Sequence, residues 1–216
     1  MDYDNPIILN FQESLLRLSD IELLSGPYWL NDTLLSFYFE YLETYKYKQY
    51  SMLFIPPQVT QCIKIMEPSE IGAFLNPLDA ESKDFIFFAL NNNEQTEVSG
   101  GSHWSLLVYS FPERKCFHFD SSRGANQKQA VEMSSKVLKF LKVDTYNGFV
   151  EARTLPQVNG YDCGVHVLAQ CEMLAEYICD YRQIDGAPLL RREQVESKRT
   201  DIFNLITFLR GGNEMI

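Results

Sequence analysis

Six consecutive apolar residues, Phe85-Ile86-Phe87-Phe88-Ala89-Leu90, set the strongest limit on what this chain can fold into. The run is far below the roughly 20 residues that a membrane span needs. A strand with no polar position has no face to offer water, so it predicts a central strand covered on both sides. A polar loop, Asn91 to Ser102, follows and contains Gly100-Gly101. Trp104 to Tyr109 then reads as a second strand, and a Pro112-Glu113-Arg114-Lys115 turn leads into a third, Cys116 to Asp120.

Helical patterns flank this segment. Asn31 or Asp32 is a good N-cap for the stretch Leu34 to Tyr45, where Leu34, Leu35, Tyr38, Tyr41 and Leu42 recur at helical spacing. Pro6 to Leu18 reads as partly extended, then a short helix. Pro56-Pro57 opens a helix towards Lys64, and a short one covers Ser69 to Leu75. Downstream come an amphipathic helix from Gln127 to Leu141, a short strand Phe149 to Glu151 and a loop from Ala152 to Asp162. A long apolar helix, Cys163 to Tyr181, and a last helix from about Arg191 to Leu209 complete the pattern. Strands in the middle with helices before and after predict an α+β domain, with residues 1–216 forming a single catalytic unit.

Composition narrows the class. Of 216 residues 45% are hydrophobic and 13% aromatic, enough for a packed core and against global disorder. Nineteen basic residues against 29 acidic ones give a net charge of −10, which opposes a free nucleic acid as the main partner and suits a basic one. Met1-Asp2-Tyr3-Asp4 carries no secretory pattern, and the five cysteines include no Cys-X-X-Cys pair. Reduced thiols in an intracellular protein of the cytoplasm or nucleus are expected.

Only three histidines, His103, His118 and His166, can serve as an imidazole base. Cys163 lies in Tyr161-Asp162-Cys163-Gly164-Val165-His166, at the first turn of the long apolar helix. A helix N-terminus presents unpaired N–H groups and a partial positive charge, which favour a thiolate over a thiol. Gly164 is read as room for a substrate backbone. A buried cysteine that merely starts a core helix is the ordinary alternative. A nucleophilic cysteine needs a base, and the base an orienting acceptor. His103 precedes one strand and Asp120 ends the next, so an antiparallel hairpin brings them to one end of the sheet. Direct pairing of the two centres the turn near residues 111 to 112, so a bulge or a diagonal contact is needed. His118 shares a strand face with Asp120 but fits a sheet residue better, and His166 shares Cys163's helix. A metal bound by Cys163 and His166 lacks further ligands nearby. Gln157, in a loop with Pro156, Asn159 and Gly160, is either a surface residue or an amide that donates to an oxyanion with the Cys163 N–H.

Four segments, Trp29-Leu30-Asn31-Asp32, His103 to Val108, Phe119-Asp120, and Pro156-Gln157 through Asp162-Cys163-Gly164, resemble in order and spacing the sentrin/SUMO-specific cysteine proteases of ubiquitin-like modifiers. Within that group the deneddylase branch is the nearest match, on Gly100 to Tyr109 and Ser51 to Lys64. The resemblance implies a papain-like fold, with Cys163 as nucleophile, His103 as base, Asp120 as its orienter and Gln157 as oxyanion donor. It implies cleavage after the C-terminal Gly-Gly of the neddylation modifier, in precursors or in conjugates such as cullins. It also implies a monomer with no cofactor, no metal and no membrane attachment. Trp29 and Trp104 are expected to cover the modifier tail, with Asp32 and Asn159 among the contacts. Asp32, or Glu94 and Glu97 of the polar loop, is placed to pair with an arginine of that tail. That loop is either a plain connection or a segment that closes over the modifier. A protease for SUMO or ubiquitin, a triad-based acyltransferase and an inactive modifier-binding module are the alternatives.

Overall fold

A computed structural model describes residues 4–94, 100–144 and 146–212. The chain opens with an antiparallel pair, β1 (Ile7–Phe11) and β2 (Ser14–Arg17), followed by the short helix α1 (Leu18–Glu22). Next come α2 (Asp32–Tyr41), β3 (Met52–Ile55), α3 (Pro57–Ile65) and α4 (Gly72–Leu75). Strands β4 (Phe85–Asn91), β5 (Trp104–Ser110) and β6 (Lys115–Phe119) lead to α5 (Gln127–Phe140) and β7 (Phe149–Glu151). Two long helices, α6 (Cys163–Tyr181) and α7 (Arg192–Gly212), close the fold.

The main sheet has the order β3-β4-β5-β6-β7. The inner pairs β4/β5 and β5/β6 are antiparallel, and the outer pairs β3/β4 and β6/β7 are parallel. Alternation along the strands sorts their side chains into two cores. Phe54, Phe87, Leu106, Val108 and Phe117 pack with Leu34 and Leu35 of α2, Leu168 of α6 and Ile202 of α7. Ile55, Ile86, Phe88, Leu107 and Tyr109 face the other way, onto Ile63 of α3, Leu75 of α4 and Met133 and Val137 of α5. The apolar run of β4 is thereby covered on both faces, and every residue from Phe85 to Leu90 is buried. On one side of it, Phe54 and Phe87 stand opposite each other in the parallel β3/β4 register and stack with centroids 4.6 Å apart.

Asn31 caps α2, its Oδ1 accepting the Leu34 N–H at 3.0 Å. Pro57 sits at the first position of α3, where a missing N–H costs nothing. Strand β3 has no separate expectation above, because four apolar residues between polar flanks do not distinguish strand from helix. The β5/β6 hairpin runs without interruption from Leu106↔Phe119 to Ser110↔Lys115. Continued one step, this register sets Ser105 opposite Asp120, so His103 and Asp120 are diagonal neighbours and no bulge is required. Among the described residues no helix is long and apolar enough to cross a membrane.

Phe87→Ala removes a fully buried ring from the centre of the larger core and is expected to destabilise the fold by about 3–5 kcal/mol. Urea unfolding monitored by circular dichroism checks it; a loss below about 1 kcal/mol contradicts this packing.

Candidate active site

The segment Trp29-Leu30-Asn31-Asp32 lies between the loop before α6 and the start of β5, tied to both through indole hydrogen bonds. The indole of Trp29 donates from Nε1 to the Gly160 carbonyl at 2.6 Å, reaching across to the loop before α6. The Leu30 carbonyl accepts from Trp104 Nε1 at 3.2 Å. Asn31 Nδ2 donates to Asp20 Oδ1 at 2.7 Å, so the cap of α2 also anchors α1. Asp32 projects its carboxylate into solvent from the first turn of α2. Trp29 is about half exposed and Trp104 buried. Gly164 has a different role from the one expected of it. A Cβ there would stand 3.1 Å from Leu30 Cβ and 3.5 Å from both Leu35 Cδ1 and Trp104 Cδ1. The missing side chain seats Leu30 and the Trp104 indole against α6.

Beside Trp104, His103 Nε2 meets Asp120 Oδ1 at 2.6 Å, both residues buried. Asp120 Oδ1 also accepts from Ser122 N at 2.8 Å, and its Oδ2 from Asn126 N at 2.9 Å. Burial opposes the Asp120 anion, but the bonds to His103, Asn126 and Ser122 prevail and hold its pKa at about 2. Burial likewise opposes the His103 cation. Hydrogen bonds to Asp120 and to the Cys163 sulfur, and the charge on both, outweigh it and raise the pKa from 6.5 to about 9. With Nε2 engaged by Asp120, Nδ1 is left for the sulfur. Sulfur, imidazole and carboxylate thus stand in series, with the proton on the ring at neutral pH, an arrangement suited to nucleophilic acyl transfer.

Cys163 is the first residue of α6, so its N–H has no acceptor within the helix. Gln157 reaches this loop from the other side. Its Oε1 accepts from Ser121 Oγ at 2.8 Å, and its Nε2 donates one hydrogen to the Asn159 carbonyl at 2.8 Å. The amide is locked in orientation, and its second N–H remains available. The Asn159 side chain is bonded within its own loop. Oδ1 accepts from the N–H groups of Tyr161 and Asp162, at 3.1 and 2.9 Å, and Nδ2 donates to Asp162 Oδ2 at 2.7 Å.

The other two histidines have different surroundings. His118, fully buried, lies between Glu151 Oε2 at 2.8 Å and Ser105 Oγ at 2.9 Å and makes no bond to Asp120. His166 is buried on α6, and burial drives its pKa down to about 4, which keeps it neutral. Glu94 is exposed, with Lys128 Nζ and Gln129 Nε2 at 3.4 and 3.3 Å. Glu97 and the tip of its loop lie outside the described residues. Two residues that support His103 carry no sequence signal of their own. Asn92 Oδ1 accepts the His103 N–H at 3.2 Å, and Asn126 Nδ2 donates to the carbonyls of Leu90 and His103 at 3.1 and 3.4 Å.

The His103–Asp120 pair has a pH signature of fixed sign. A raised histidine pKa contributes stability that is fully present below 6.5 and lost as pH rises through about 9. The depressed Asp120 contributes stability present above 3.8 and lost as pH falls through about 2. Asp120→Asn is expected to return the His103 titration, followed by NMR, from about 9 towards 6.5. An unmoved titration means that the carboxylate does not hold the proton on the ring.

Comparison with known proteins agrees with this geometry. Residues 28–207 match the model of the Ulp1 protease family, C-terminal catalytic domain. Sentrin-specific protease 8 of Homo sapiens is 39% identical over 210 residues, covering 95% of this chain and 98% of that protein. NEDD8-specific protease 1 of Arabidopsis thaliana is 35% identical over 180 residues, covering 81% and 77%. The Ulp1 protease domain solved with Smt3, the yeast ortholog of SUMO, superposes with a TM-score of 0.73 at 19% identity, covering 95% of this chain and 89% of that one. The mixed sheet with a cysteine heading a buried helix is therefore the Ulp1-like, papain-like fold, and this chain belongs to the Ulp1 family of cysteine proteases.

Proposed function

We propose that this protein is a deneddylase, a cysteine protease that cleaves after the C-terminal Gly-Gly of NEDD8 in precursors or lysine conjugates. The chemistry rests on one observation, the series Cys163, His103 and Asp120 beside the hydrogen-bonded indoles of Trp29 and Trp104. The modifier follows from the relatives named for it, 35% identical in Arabidopsis thaliana and 29% in Schizosaccharomyces pombe. In this reading Cys163 Sγ, paired with the His103 imidazolium, attacks the carbonyl carbon of the terminal glycine. The oxyanion receives the free N–H of Gln157 Nε2 and the backbone N–H of Cys163. His103 passes its proton to the leaving nitrogen, which departs as an amine and leaves a thioester. His103 then takes a proton from water, which attacks the thioester and releases the modifier's carboxylate.

Two glycines at the end of a modifier fit a slit whose walls are Trp29 and Trp104, where any side chain would collide. The exposed Asp32 at its entrance is assigned to a tail arginine. Cullins are the expected conjugates, and residues 1–216 are expected to act as one monomeric catalytic domain in the cytoplasm or nucleus.

The test is a panel of NEDD8, SUMO and ubiquitin, each carrying a C-terminal electrophile. NEDD8 is expected to label Cys163 fastest, and Cys163→Ala to abolish labelling. Faster reaction with SUMO or ubiquitin reassigns the modifier, and labelling away from Cys163 removes the mechanism. His103→Ala is expected to lower turnover by about a hundredfold or more, and His118→Ala by far less. The reverse order reassigns the base. Asp32→Arg is expected to raise the apparent Kd for NEDD8 by about fivefold, as loss of an exposed ion pair would. An unchanged Kd removes Asp32 from the contact.

A further inference from the structure

Helix α7 lies beyond every motif that points to the site, yet one of its side chains reaches both the residue before Trp29 and the residue before Cys163. Arg199 is mostly buried. Its Nε and Nη2 donate to Asp162 Oδ1 at 3.2 and 2.8 Å, and Asp162 immediately precedes Cys163. Its Nη1 donates to the Leu23 carbonyl at 2.7 Å, and its Nη2 also donates to the Tyr28 carbonyl at 2.7 Å; Tyr28 immediately precedes Trp29. Gly26, with φ of 54°, turns the backbone around the guanidinium, its Cβ position 3.8 Å from Arg199 Cδ and Nε. Both Tyr28 and Trp29 are half exposed, so beyond the Trp29 Nε1–Gly160 bond little contact of their own side chains fixes this loop.

We propose that Arg199 is a positioning residue for the modifier tail. It holds the loop bearing Trp29 at a fixed distance from the residue before the nucleophile, and so sets the width of the slit. The planar fork matters, because its donors point to two carbonyls and a carboxylate at once. A lysine ammonium has the charge but not that geometry. Asp162 is held on its other oxygen by Asn159 Nδ2, so the guanidinium joins the Trp29 loop to the loop that also positions Gln157. Losing the clamp should harm a macromolecular tail that must lie between the walls and spare a small reagent that needs only the sulfur.

The proposal rests on the protease reading above, and its test separates the two. Wild type, Arg199→Gln and Arg199→Lys are each reacted with electrophile-tipped NEDD8 and with iodoacetamide, and labelling of Cys163 is followed by mass spectrometry. For Arg199→Gln the NEDD8 rate is expected to fall about tenfold or more, with iodoacetamide alkylation within about twofold of wild type, as loss of charge-assisted bonds would give. Arg199→Lys is expected to recover only part of the NEDD8 rate. Acrylamide quenching of Trp29 fluorescence is expected to rise in both variants, a change that general loss of stability would not confine to one indole. NEDD8 labelling at the wild-type rate in both variants overturns the role of Arg199, as does an equal fall with both reagents. A wild-type chain that iodoacetamide alkylates at Cys163 but that NEDD8 does not label overturns the deneddylase reading and this inference with it.

Discussion

A strand without a polar face cannot stay at a surface, and most of this architecture follows from meeting that demand. Covering β4 on one side recruits α3, α4 and α5, and on the other α2, α6 and α7. The helix that fills the second layer is apolar nearly all round, every residue from Cys163 to Cys171 being buried. A helix of that kind has little freedom in how it lies on the sheet. Its first residue is fixed at the sheet's end, where β5 begins and β6 stops. The reactive constellation is therefore a by-product of core packing as much as of local chemistry. The rigid frame holds a sulfur, an imidazole and a carboxylate with little further adjustment.

The same frame gives three histidines three characters. His103 stands where two strand ends leave room for a carboxylate and a sulfur, and it gains a proton there. His118, two residues before Asp120, points into a closed chain of hydrogen bonds, with Ser105 between it and the amide of Asn126. His166, inside the helix layer, stays neutral because burial outweighs the nearby Asp162 carboxylate. Residue type is identical in all three cases, so solvent access and partner decide the role.

Much of this was legible in the sequence because its signals are local or periodic. The β4 strand and α6 follow from apolar runs and α5 from its amphipathic period, the α2 cap is narrowed to Asn31 or Asp32, and the β5/β6 hairpin places His103 near Asp120. The structure adds that the two meet diagonally across an unbroken register. What stayed hidden has a common physical form. Asn92, Asn126 and Arg199 act on backbone carbonyls and N–H groups, which every residue possesses and which leave no trace in the pattern of side chains. Arg199 acts on Leu23 and Tyr28, 176 and 171 positions away along the chain. The polar atoms of Asn159 have no visible partner in the sequence, and its own loop supplies them. Strand β3 was lost to brevity.

Gly164 was misjudged for a related reason, since a glycine beside a nucleophile looks like clearance for substrate. Its space is instead taken by Leu30, Leu35 and Trp104. The dipeptide Cys163-Gly164 is consequently a record of how closely Leu30 approaches the start of α6. Bulk on one side of that contact has to be traded for bulk on the other. In sequences sharing this architecture, a larger residue after the cysteine should be accompanied by a smaller one at the position of Leu30, which an added Cβ would meet first.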